Sequence, residues 1–314
     1  MAATTPAQLN PAILSIRLLA LLETIPDRSS KKKVHETRTT VRRLEAQLGD
    51  CPKKLAKSLK GLRKQAGKVR DIDVHLGILK EPLALGSRSR AAKSRATNSR
   101  TANSDDGEKS QEKLQRFLKS ERKSQSKGLR ALVSSSAPLL KKRLPAMAER
   151  ASEHEHNAQD AHRLCARARK NFLQWTRNIP SDEARLHSLR INTKMLRYSL
   201  EPMEQFDDAA ELASKFKVVQ DAIGEWHDWA TLAQLAEREL KSAAAKPIRG
   251  ALQAGARREY RKALRAAQSV RTWMTKPITS KPAVSKPATT KPAMTKPAAP
   301  AQGSRSLRLV RKAG

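Results

Sequence analysis

The chain has 314 residues, of which 38% are hydrophobic and 3% aromatic, and 64 Lys and Arg stand against 30 Asp and Glu for a formal charge of +34. An excess of that size calls for a polyanionic partner. Two cysteines, Cys51 and Cys165, exclude a disulfide framework, and the lean apolar content, rich in Leu and Ala, points to helices rather than sheet.

In chain order, residues 8–24 predict a helix with Pro11 in its first turn and Leu14, Leu18, Leu21 and Leu22 on a broad apolar face. Arg17 interrupts the most apolar run, which is too short to span a bilayer and follows no charged leader region. A cytoplasmic protein without membrane contact is expected.

The stretch Val34-His35-Glu36-Thr37-Arg38-Thr39-Thr40-Val41-Arg42-Arg43-Leu44 carries the pattern apolar-His-x-x-Arg-x-x-x-basic-x-Leu. At 100° per residue His35, Arg38 and Arg42 fall within roughly 60° of one another, while Val34, Val41, Leu44 and Leu48 lie elsewhere on the helix. The result is an amphipathic helix with a cationic stripe. Asp50 is expected to cap the next helix, with Pro52 in its first turn. There Lys53, Lys57, Lys60, Lys64 and Lys68 recur at steps of four and three, opposite Leu55, Leu59, Leu62, Ala66 and Val69. This ladder is either a second anion-binding rail or a solvated face. Asp71 and Asp73 follow, and are expected to hold neighbouring basic side chains by ion pairs or to bond backbone groups rather than to chelate a metal.

Residues 86–107 have almost no apolar content and predict a disordered basic insertion. Helices are expected over 108–133 and 137–177, which places a boundary between two halves near residue 136. Glu153-His154-Glu155-His156 with His162 suggests a metal only superficially, because positions two apart on a helix point away from each other. No metal and no cofactor are expected.

The first pattern then returns. Leu186-His187-Ser188-Leu189-Arg190-Ile191-Asn192-Thr193-Lys194-Met195-Leu196, with Ser181 or Asp182 as cap, repeats the His-x-x-Arg stripe, and Arg197 follows it. Gly67 and Asp71 of the first half likewise have counterparts in Gly224 and Asp228, behind the apolar stripe Leu212, Phe216, Val219, Ile223 and Trp226. The chain therefore contains a duplicated two-helix unit. Glu211, Asp221 and Glu225 make the second copy more acidic, so binding charge should concentrate in the first half. Trp226 and Trp229 are read as packing residues, and a last helix is expected over 247–274.

These paired signatures resemble the conserved-histidine α-helical, or CHAD, family, over most of residues 8–270. The sequence departs from the family pattern at Met195, where an Arg is usual after Lys194, and at His227, where an Asn is common. The resemblance implies an all-α domain of two pseudo-twofold-related four-helix bundles, with half 1 over about 8–135 and half 2 over about 137–275. It further implies a basic central channel that binds inorganic polyphosphate, and association with polyphosphate granules. The residues expected to bind are His35, Arg38, Arg42, Arg43, Lys57, Lys60, Lys64, His187, Arg190, Lys194 and Arg197.

Asn157 stands where the Glu-x-Glu-x-Lys signature of the triphosphate-tunnel enzymes needs Lys, and no phosphate-cradling glycine loop or activated nucleophile occurs. A non-enzymatic role is expected. Residues 276–314 differ in kind. Lys-Pro recurs every five residues from Lys276 to Pro297, predicting an extended, disordered basic tail. It resembles the Lys-Pro-Ala tails of bacterial histone-like proteins, so sequence-independent DNA or RNA binding by tail and insertion is the alternative reading. Oligomeric state is not fixed by residue spacing.

Overall fold

The computed structural model describes residues 10–25, 29–81, 100–153, 157–178 and 182–275. Eight helices account for nearly all of them: α1 (Pro11–Thr24), α2 (Lys31–Gln47), α3 (Lys53–Ile78), α4 (Arg100–Ser152), α5 (Ala158–Trp175), α6 (Glu183–Leu200), α7 (Asp207–Glu239) and α8 (Lys246–Thr275). No strand occurs among the described residues. The first four helices close around Leu14, Leu18, Val34, Val41, Leu44, Leu55, Leu62 and Leu144, and the last four around Phe172, Leu186, Phe216, Val219, Ile223 and Trp226. A third apolar cluster joins the two bundles, from Ile72, Leu76 and Leu114 on one side to Leu232, Ile248 and Leu252 on the other. The expected all-α architecture of two four-helix bundles is therefore present.

Local chemistry explains most helix ends. Asn10 caps α1 by accepting from the Ala12 N–H at 2.8 Å, with Pro11 first in the helix, where its missing donor costs nothing. Asp182 caps α6 through the Arg185 N–H at 2.8 Å. Asp50 does not cap α3 as expected. The helix begins at Lys53 directly behind Pro52, which occupies the cap position without a side-chain bond. Gly49, at φ 58°, reverses the chain after α2 in the left-handed conformation that glycine tolerates best.

The expected pair of helices meeting near residue 136 does not form. Helix α4 runs on through Ser134, Ser135, Ser136, Pro138 and Pro145, and ends only at Ser152. Leu129, Val133, Leu140, Leu144 and Ala148 keep one side of α4 buried in the first bundle on both sides of Pro138. Continuous packing outweighs the locally poor helix formers. The halves therefore divide after α4, not near residue 136. The first turns of α4 also take up residues 100–107, the end of the expected disordered insertion. The rest of that insertion, His154 to His156 and the tail over 276–314 lie outside the described residues. Among those described, no helix is long and apolar enough to cross a membrane.

Candidate anion-binding site

The two His-x-x-Arg helices, α2 and α6, face each other at the junction of the bundles, and each is backed by the helix that carries its Gly-x-x-x-Asp element, α3 and α7. On α2, Val34, Thr37, Thr40, Val41 and Leu44 are buried, which turns His35, Arg38 and Arg42 toward the junction. On α6, Leu186, Leu189 and Thr193 do the same for His187, Arg190 and Lys194.

Gly67 on α3 faces the Arg38 side chain of α2. A Cβ at that position would lie 3.3 Å from Arg38 Nε, so the glycine leaves room for the guanidinium against the helix backbone. Arg38 then reaches Asp71, NH2 to Oδ1, at 3.8 Å. Arg70, one residue earlier on α3, donates from NH1 to Asp71 Oδ1 at 3.4 Å and crosses to both carboxylate oxygens of Asp228 at 3.2 and 3.1 Å. The expectation that the carboxylates of this stretch hold cations is met. Asp73 does so too, accepting from Arg122 Nε at 2.6 Å.

Electrostatics show how crowded the junction is. Burial first, and then the charges of Arg190, Arg42, Arg38 and Arg70, push the Lys194 ammonium down to about 6. Arg38 is pushed down to about 10 by burial and by Arg42, against the pull of Asp71. Burial and the neighbouring Arg70 and Arg38 lower His35, and burial with Arg190 takes His227 to about 4. The rings of His187 and His227 lie 5.1 Å apart. Four guanidiniums, Arg38, Arg42, Arg70 and Arg190, thus share one region with the Lys194 amine and two carboxylates, Asp71 and Asp228. The Nε–H of Arg38 and that of Arg190 are buried with no hydrogen-bond partner in the protein.

The other expected residues are placed differently. Arg43 and Arg197 converge on Glu201, each at 2.8 Å, at a carboxylate only 2% exposed. The shared carboxylate offsets one of their two charges and ties the two halves together. Lys57, Lys60 and Lys64 are exposed on α3. Lys60 falls about 20° from Gly67 around the helix and helps to pull down the Glu45 carboxyl, which burial raises, so it borders the α2 side. Arg70 and His227 belong to the junction although neither was expected there. Arg70 could have been suspected from its place one turn after Gly67 and beside Asp71.

The CHAD-domain family model matches residues 12–237, well over half of the chain. The chain belongs to the CHAD family. Among solved structures it is similar to the CHAD domain from the plant Ricinus communis, with 19% identity and a TM-score of 0.60 over 86% of this chain and 93% of that one. At that identity the likeness shows the shared CHAD fold. No curated protein matches the sequence.

Proposed function

We propose that this CHAD protein binds inorganic polyphosphate, without chemical turnover, at the junction of its two bundles. The observation that carries the reading is the clustering of Arg38, Arg42, Arg70 and Arg190 around Lys194, with the Nε–H groups of Arg38 and Arg190 left unpaired. A linear polyphosphate offers closely spaced negative oxygens and no bases, so charge density and hydrogen bonds must do the recognising. Arg presents a planar fork to two phosphate oxygens and Lys a compact charge. Each cation that lowers its neighbours' affinity for protons is relieved when phosphates enter among them. The exposed ladder of Lys57, Lys60 and Lys64 extends the cationic surface along α3, so a chain longer than the junction continues over it. Association with polyphosphate granules follows from the same affinity.

The test is a salt-matched competition between long-chain polyphosphate and duplex DNA, at equal phosphate concentration, for full-length protein, for the chain ending at residue 275, and for the Arg38→Ala/Arg190→Ala variant. The reading expects polyphosphate to win on both chain lengths and the double substitution to weaken it at least tenfold, as the loss of charged hydrogen bonds implies. Affinity should also fall steeply with salt through counterion release. If DNA competes equally and removal of residues 276–314 abolishes binding, the basic tail is the binding element and the junction reading fails.

A further inference from the structure

Lys194 stands one turn after Arg190 on α6, so the two side chains are neighbours on one face of the helix. Arg38 and Arg42 of α2 and Arg70 of α3 act on the same amine. Nothing accepts its protons: among the described residues Lys194 has no hydrogen bond and no ion pair. The residue is half-buried rather than sealed, which leaves a small neutral molecule a route to it.

An ammonium in that position is repelled by four guanidiniums, and with burial they bring its loss of a proton down to about 6. Lys194 is therefore a free amine near neutral pH, a form that an ordinary solvated lysine holds at roughly one part in a thousand. A free amine is a nucleophile, and carbon dioxide is a neutral electrophile that the cluster does not repel. The Nζ lone pair attacks the carbon, an N–C bond forms, one C=O bond becomes C–O⁻, and one N–H proton passes to solvent. Amine and carbon dioxide thus give a carbamate and a proton, with nothing oxidised and no other reactant consumed.

The product puts a negative charge where the proton was expelled. The guanidiniums that repel an ammonium attract a carbamate, and its two oxygens suit their planar forks. Burial opposes either charged form, so the sign of the surrounding charge decides between them. The buried, unpaired Nε–H groups of Arg38 and Arg190 leave the cluster with spare donors. We infer that Lys194 is a carbamate site, at which carbon dioxide adds to Nζ and the product is held by Arg38, Arg42, Arg70 and Arg190. One consequence rests on the polyphosphate reading: the carbamate spends the positive charge that polyphosphate needs, so the two compete.

The test uses full-length protein, freed of polyanion in high salt, equilibrated at about pH 7.5 with ¹³C-labelled carbon dioxide and bicarbonate. Triethyloxonium then traps carbamates as ethyl esters for peptide mass spectrometry. Trapping on Lys194 should exceed that on the exposed Lys57 and Lys60 by at least about tenfold. Arg38→Ala/Arg190→Ala should lower it at least about tenfold, because the proton returns and the counter-charges are gone. Lys194→Arg should remove the corresponding ¹³C carbamate resonance. Trapping on wild-type Lys194 no higher than on the exposed lysines, a measurement that needs no variant, would overturn the assignment, as would trapping unaltered by loss of the two arginines. Polyphosphate binding without any carbamate sinks this inference alone. A Lys194 carbamate that persists at saturating polyphosphate supports the inference and counts against the junction as the polyphosphate site.

Discussion

Arg70 on α3 and Asp228 on α7, 158 residues apart in sequence, pair across the bundle junction at 3.2 and 3.1 Å. Asp71 on the Arg70 side is 45% exposed, whereas the Asp228 side chain is only 10% exposed. The two carboxylates therefore do different work. Asp71→Asn should leave stability within about 0.5 kcal/mol, as for a solvent-screened pair, and strengthen polyphosphate binding by removing a negative charge from the junction. Asp228→Asn should destabilise the fold by about 1–3 kcal/mol by replacing the half-buried Arg70's cross-bundle carboxylate with a neutral amide that keeps only one acceptor oxygen. Urea denaturation and the competition assay, run on both variants, separate the two effects.

Glu201 accepts from Arg43 of the first half and Arg197 of the second, so Glu201→Gln strands two half-buried guanidiniums at once. Removing one member of a buried ionic group costs about 3–5 kcal/mol. A loss on that scale should appear in the denaturation midpoint. A variant as stable as the wild type would mean that the latch is solvated in solution.

Lys194 carries a folded-state value of about 6 against 10.5 for the free side chain, so between these values the unfolded chain binds the extra proton. Stability then rises with pH across that window and falls as pH drops from about 10 toward 6. His35 and His227, both lowered, add to the same trend below 6.5. Lys194→Met should flatten the slope between pH 6 and 9 and stabilise the unliganded protein at pH 6, read by denaturation at both pH values. Polyphosphate, which favours the protonated forms, should bind the wild type more tightly at pH 6 than at pH 8 at fixed salt. Equal affinity at both would remove Lys194 and the histidines as charged contacts.

A Cβ on residue 67 would meet Arg38 Nε at 3.3 Å, close enough to displace the side chain by a few tenths of an ångström. Ala also favours the helix by about 0.5–1 kcal/mol over Gly. Gly67→Ala should therefore weaken polyphosphate binding while leaving the thermal midpoint unchanged or higher. Parallel loss of binding and stability would show that the glycine serves packing alone.

The stripe of His35, Arg38 and Arg42 and its partner stripe of His187, Arg190 and Lys194 could be read from spacing, because a helical period puts each set on one face whatever the tertiary structure. Which of those cations remain available could not. Arg43 looks like another member of the stripe until Glu201 captures it from the opposite half. Arg70 acquires its role only from Asp228, and no local pattern announces a partner so far along the chain. The run through α4 was hidden for the opposite reason. Three serines and Pro138 give a correct local signal for a break, and it is overruled by leucines whose partners lie on other helices.

Because the junction takes Arg38, Arg42 and Arg70 from one bundle and Arg190 and Lys194 from the other, neither bundle alone owns the site. The apolar cluster and the Arg70–Asp228 and Arg43–Glu201 pairs hold the seam against the like charges gathered there, and an anion spanning it would add to that hold, so its binding would also stabilise the docking of the halves. At a ligand concentration one hundred times the dissociation constant, such coupling is worth about 2.7 kcal/mol of folding free energy.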